Sequence, residues 1–121
     1  MSVKILVADD DSDNRTIVTE TLEAAGYQVC VAANGLEAIE VAVRESPGVI
    51  LLDLSMPKLD GWKAAERMKQ IPQTAKIPII AFTAHAMTGD ELKAKSAGCD
   101  DYLSKPCLPS KIIEKVKQWI R

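Results

Sequence analysis

Histidine occurs once in this 121-residue chain, at His85, and the three cysteines, Cys30, Cys99 and Cys107, are widely spaced with no CxxC pair. A lone histidine cannot build a histidine-based metal centre. An odd, scattered set of cysteines supports neither a disulfide framework nor a zinc site. Such thiols fit a reducing, cytoplasmic setting in which they serve as small buried hydrophobes. The net charge is −2, so the chain has no basic footprint for nucleic acid. Long apolar runs are missing as well. None could span a membrane, and the N-terminus lacks a signal-peptide pattern. Repeats, linkers and low-complexity tracts are also lacking. The expectation is one domain over residues 1–121, with no output domain, large enough to bury a single core.

Apolar residues make up 47% of the chain, ordinary for a soluble globular protein, and their distribution is the informative part. Val3-Lys4-Ile5-Leu6-Val7-Ala8 ends in Asp9-Asp10, and Val49-Ile50-Leu51-Leu52 ends in Asp53. Ile79-Ile80-Ala81-Phe82 ends in Thr83, and Tyr102-Leu103-Ser104 ends in Lys105-Pro106. Between such runs lie segments with apolar residues at helical spacing. The first carries Ile17, Val18, Leu22 and Ala25. The second carries Leu36, Ile39 and Val43, with Glu37, Glu40 and Arg44 opposite. Trp62, Ala65 and Met68 mark a third, and Leu108, Ile112, Val116 and Trp119 the last. Gly26 closes the first helix, Asn34-Gly35 opens the second, and Pro109 suits a first helical turn. Residues 88–97 are expected to form a helix with a thin apolar face, Leu92 and then mostly alanine. A fifth strand over about 101–104 is expected mainly from the alternation. Strand and helix alternate five times, which predicts an α/β fold: a five-stranded parallel sheet with five helices covering both faces.

In an open parallel sheet, ligands bind in the crevice beyond the carboxyl ends of the strands. Asp9, Asp10, Asp53, Thr83 and Lys105 would meet there. Each has an ordinary explanation alone: an acidic helix cap (with Asp11 or Ser12 as the cap itself), a turn aspartate, a helix start, a surface lysine. Their joint placement does not. Three aspartates in one crevice repel unless something positive sits among them, and Mg²⁺ prefers such hard oxygen ligands. An aspartate can attack phosphorus while a metal neutralises the oxygens, a lysine adds a second fixed charge and a hydroxyl donates to a phosphoryl oxygen.

These residues carry a resemblance that runs end to end. Asp9-Asp10, Asp53-Leu54-Ser55-Met56-Pro57 with Asp60-Gly61, Thr83-Ala84 and Lys105-Pro106 resemble the receiver domain of two-component response regulators, the CheY-like family. The stretch from Ala84 to Glu91, with Gly98-Cys99, is similar to stand-alone receivers of the DivK kind. The resemblance implies a flavodoxin-like strand order 2-1-3-4-5. It implies that Asp53 accepts the phosphoryl group from a sensor histidine kinase or histidine phosphotransfer protein. Mg²⁺ would be held by Asp10, by Asp9 largely through water, by Asp53 and by the backbone carbonyl of Ser55. Lys105, preceding a cis proline bond, would pair with the phosphoryl group. Thr83 would turn its hydroxyl toward it, and Tyr102 would follow as the switch aromatic. Output would be a changed binding face built from the 88–97 helix, the fifth strand and the last helix, read by a downstream protein. Ser55 and His85 would occupy places that tune phosphoryl lifetime. Cys107 stands where a larger apolar residue is frequent.

The implied protein is a phosphoacceptor that catalyses its own phosphorylation and dephosphorylation, not a turnover enzyme. Two other readings stay open at this point. Asp9-Asp10-Asp11 also matches the Asp-x-Asp core of haloacid-dehalogenase-type phosphatases, although Asp13 stands where those generally carry Thr or Val. A receiver can also act as a docking module without phosphate.

Overall fold

The four apolar runs form strands, the last of them being the expected fifth strand, and Gln28–Ala32 supplies one more. The computed structural model describes residues 3–53, 61–83, 98–104 and 108–120. In chain order the elements are β1 (Lys4–Ala8), α1 (Ser12–Ala24), β2 (Gln28–Ala32), α2 (Gly35–Glu45), β3 (Val49–Leu52), α3 (Gly61–Gln70), β4 (Ile79–Thr83), β5 (Asp101–Ser104) and α4 (Pro109–Trp119). All strand pairs are parallel, in the order β2-β1-β3-β4-β5. This is the flavodoxin-like arrangement expected. Four helices, not five, lie among the described residues; the helix expected over 88–97 falls outside them.

The sequences of β1, β3 and β4 read as near-continuous apolar runs because both faces of the sheet are covered there. Along β1, Ile5 and Val7 enter one buried cluster while Leu6 and Ala8 enter the other. β3 divides likewise, Val49 and Leu51 against Ile50 and Leu52. Val18 and Leu22 of α1 and Ile112 and Val116 of α4 close the first face. Ala38, Val41 and Ala42 of α2 and Ala64, Ala65 and Met68 of α3 close the second.

The helix ends follow from local chemistry. Asp11 caps α1, its carboxylate accepting from the backbone N–H groups of Asp13 at 3.0 Å and Asn14 at 3.3 Å. Asn34 caps α2, accepting from Glu37 N–H at 2.9 Å. Gly26, just past α1, has φ +95, and Pro109 opens α4. Gly98 has φ +101, and a Cβ there would lie 2.8 Å from Lys69 Cγ, so backbone and space both require glycine.

The expected apolar faces of α1 and α2 need correction. Ile17, Leu36 and Val43 are 57%, 47% and 37% exposed, and Ala25 and Leu108 are exposed too. On α2 the buried positions are Gly35, Ala38, Val41 and Ala42, a stripe of small residues that lets the helix lie close to the sheet. Choosing the largest apolar residues selected the neighbouring stripe. Trp62 is half-buried against the second cluster and Met68 is fully buried. Cys99 is buried and Cys30 half-buried, both as free thiols, and burial pushes the Cys99 thiol up to about 12. Cys107 lies outside the described residues.

Trp119 does more than fill a stripe. Its indole Nε1 donates to Asp101 Oδ2 at 2.7 Å, and Lys115 Nζ lies 3.2 Å from the same carboxylate, tying α4 to the start of β5. Burial pushes the Asp101 carboxyl up, but donation from Trp119, the Tyr102 N–H and Lys115 outweighs it, and the group sits below its ordinary value. A carboxyl depressed in the folded state contributes stability above the unfolded value, about 3.9, and loses it as pH falls through the folded value. Asp101→Ala should therefore lower the melting temperature at neutral pH by about 4 °C, taking a loss of about 1 kcal/mol. The gap to wild type should shrink on acidification below about pH 3.9. Thermal melts of both proteins across that range check it, and a gap that persists in acid would assign the cost to packing alone.

Candidate functional site

Parallel registration carries two aspartates to one place. Ala8 is level with Ala32 on β2 and with Leu52 on β3, so Asp9 and Asp53 are the next residues beyond adjacent strand ends. The ladder continues through both: Asp9 N–H donates to Ala32 O at 3.0 Å, and Asp53 N–H donates to Ala8 O at 2.9 Å. Asp9 is 2% exposed and Asp53 7%, whereas Asp10 is exposed. One carboxylate oxygen from each of the three lies within 4.8 Å of the others. They sit at the β1/β3 boundary, where the strand order reverses and such sheets bind ligands.

The first turn of α1 is built around Asp9. Asp11 N–H donates to Asp9 Oδ1 at 3.0 Å, and Asn14 Nδ2 donates to Asp9 Oδ2. Arg15 Nη1 donates to the Asp9 backbone carbonyl at 2.7 Å. Neither Asn14 nor Arg15 was expected at the site from sequence. The signal available was two polar residues in the first turn of a helix that follows the acidic pair, which is also how a solvated helix start looks.

Thr83 ends β4, in register with Ser104 at the end of β5. Tyr102, one position earlier than Leu103 in β5, is half-buried against the cluster that includes Cys99 and Ile79. Ser55, His85, Lys105, Pro106 and the 88–97 segment lie outside the described residues. The structure thus brings together Asp9, Asp10 and Asp53, and places Thr83 and Tyr102 on the strands beyond them.

The donor set suits a hard divalent cation. Three carboxylates supply oxygen alone, with no histidine or cysteine in the cluster, and one of them opens to solvent, leaving room for bound water. A doubly wound α/β domain with an acidic cluster at its switch point belongs to the class of parallel-sheet proteins that bind ligands there. Within it, this chain belongs to the response regulator receiver domain family of two-component signalling, whose sequence pattern matches residues 5–117. It is similar to the polar-differentiation response regulator DivK of Brucella anthropi, 33% identical over 120 residues that cover 99% of this chain and 98% of the relative. Chemotaxis protein CheY4 of Vibrio cholerae superposes with a TM-score of 0.94 at 28% identity, covering 99% of this chain and 100% of that one. The receiver domain of a sensor histidine kinase from Pseudomonas aeruginosa, with a magnesium ion coordinated in its active-site cleft, superposes with a TM-score of 0.92 at 33% identity, over 98% of both chains. No helix among the described residues is long and apolar enough to cross a membrane.

Proposed function

We propose that this receiver accepts a phosphoryl group on Asp53 from a histidine kinase or histidine phosphotransfer protein in the cytoplasm, and signals through a changed protein-binding face. The observation that carries this is the convergence of Asp9, Asp10 and Asp53 at the carboxyl edge of β1 and β3. An Asp53 carboxylate oxygen attacks the phosphorus of the donor phosphohistidine. The new P–O bond forms as the P–N bond breaks, and the departing imidazole nitrogen keeps the electron pair and takes a proton. Asp9, Asp10, Asp53 and the Ser55 backbone carbonyl would hold Mg²⁺, which when bound neutralises charge on the phosphoryl oxygens. Lys105 supplies a second positive charge to those oxygens, and the Thr83 hydroxyl donates to one of them. Burial of Asp53 limits water around the acyl phosphate. The chain acts as a single domain over 1–121 that catalyses its own modification and its reversal by hydrolysis, without turning over a small substrate.

Incubation with a small phosphodonor and Mg²⁺ should add one phosphoryl mass, labile to hydroxylamine as an acyl phosphate is. Turnover of sugar phosphates in place of stable labelling would favour a phosphatase instead.

Cation binding should be visible without any chemistry. A ligand that binds only the folded protein stabilises it by about 2.7 kcal/mol at a hundred times its dissociation constant, about 10 °C in melting temperature for a chain of this length. Mg²⁺ should produce such a rise in wild type and far less in Asp10→Asn. That variant removes one of three crowded like charges, so it should start out more stable without metal. Equal Mg²⁺ shifts in the two proteins, read by thermal melts, would contradict the metal assignment.

A further inference from the structure

We infer that Asn14 is a positioning residue for this cation site: by holding the Asp9 carboxylate in one orientation, its side-chain amide sets the affinity for Mg²⁺. The inference rests on the metal reading above. Asp9 is almost wholly buried, so its charge depends on donors supplied by the protein. Its backbone is held from both sides, the N–H by Ala32 O at 3.0 Å and the carbonyl by Arg15 Nη1 at 2.7 Å. With the backbone fixed, the side-chain torsions decide where the carboxylate points. Asp11 N–H engages Oδ1 at 3.0 Å and Asn14 Nδ2 engages Oδ2, so the plane cannot rotate without breaking one of these bonds. A group that orients a metal ligand in this way typically changes metal affinity by about 10–100-fold when removed.

The side chain of Asn14 can be removed without opening the helix. The α1 cap is made by Asp11 to the backbone N–H groups of Asp13 and Asn14, which a side-chain truncation leaves in place. Orientation and folding are therefore separable.

Calorimetric titration with Mg²⁺ alone, on wild type, Asn14→Ala and Asn14→Gln, tests this alongside thermal melts in EDTA. Asn14→Ala should bind Mg²⁺ about tenfold more weakly or worse, and Asn14→Gln, which keeps an amide donor on a longer stem, should recover part of the loss. A lower melting temperature in EDTA with an unchanged Mg²⁺ dissociation constant would make Asn14 a merely structural residue and overturn the inference. So would Asn14→Gln binding no more tightly than Asn14→Ala. If wild type itself takes up no Mg²⁺, the metal reading fails and the inference with it. If wild type binds and both variants match it, only the inference fails.

Discussion

Asp53→Asn should reduce phosphoryl incorporation to background while leaving the fold intact. The carboxamide matches the carboxylate in shape and keeps the backbone N–H that pairs with Ala8 O, so the junction of β1 and β3 is preserved. What it loses is the anionic oxygen that would attack phosphorus on the proposed reading, along with one of the three charges in the cluster. Nucleophile and cation affinity therefore fall together, and the loss should be complete on the timescale of wild-type labelling. Removing like charge from a crowded, buried site should also raise the melting temperature without metal. Intact-mass spectrometry after incubation with a small phosphodonor and Mg²⁺ reads the first effect, and melts in EDTA read the second. Stoichiometric, hydroxylamine-labile labelling of Asp53→Asn would place the acceptor elsewhere.

The second large effect should appear far from Asp53. A beryllofluoride phosphoryl mimic in the site should draw Thr83 toward it, vacating space for the ring of Tyr102. Thr83 and Ser104 are level in the β4–β5 ladder, and Tyr102 is half-buried against the helix-covered core, so displacement of one strand end bears directly on the other. Moving an equilibrium from 1:99 to 99:1 takes about 5.5 kcal/mol of differential interaction. On the proposed reading, a single phosphoryl group bonded to Thr83 and Lys105 would supply part of that, and the binding partner would complete the shift. Backbone NMR with and without the mimic should show changes from Asp53 through Thr83 to Tyr102 and residues 88–97. In Thr83→Ala, changes beyond position 83 should shrink severalfold. Perturbation confined to the crevice in wild type would instead favour a docking module that does not switch with phosphate.

Much of the frame was legible in the sequence because strand burial on two faces leaves an unbroken apolar run, and the residue that ends each run stands out. Asp9 and Asp53 were found this way, and parallel registration does bring them together with Asp10. Helix boundaries were readable where one residue type has one job, as with Asn34 at the start of α2 and Gly26 beyond α1. The order of the strands was not readable from periodicity; it came from the resemblance to receivers. The buried face of α2 was hidden because alanine is a weak apolar signal yet the best residue for close helix-to-sheet approach. Asn14, Arg15 and the pairing of Asp101 with Trp119 were hidden for another reason. Each depends on which polar atoms meet after folding, and a hydrogen bond between residues 18 positions apart leaves no periodic trace.

The most direct test of the account is to locate the modified residue. Wild-type protein labelled from a phosphodonor with Mg²⁺, reduced with borohydride and digested, should yield homoserine in place of Asp53, because reduction converts an aspartyl acyl phosphate to the alcohol. Aspartate should remain at positions 9 and 10. Reduction at Asp9 or Asp10, or an unaltered Asp53 in stoichiometrically labelled protein, would contradict the assignment of Asp53 as the phosphoryl acceptor.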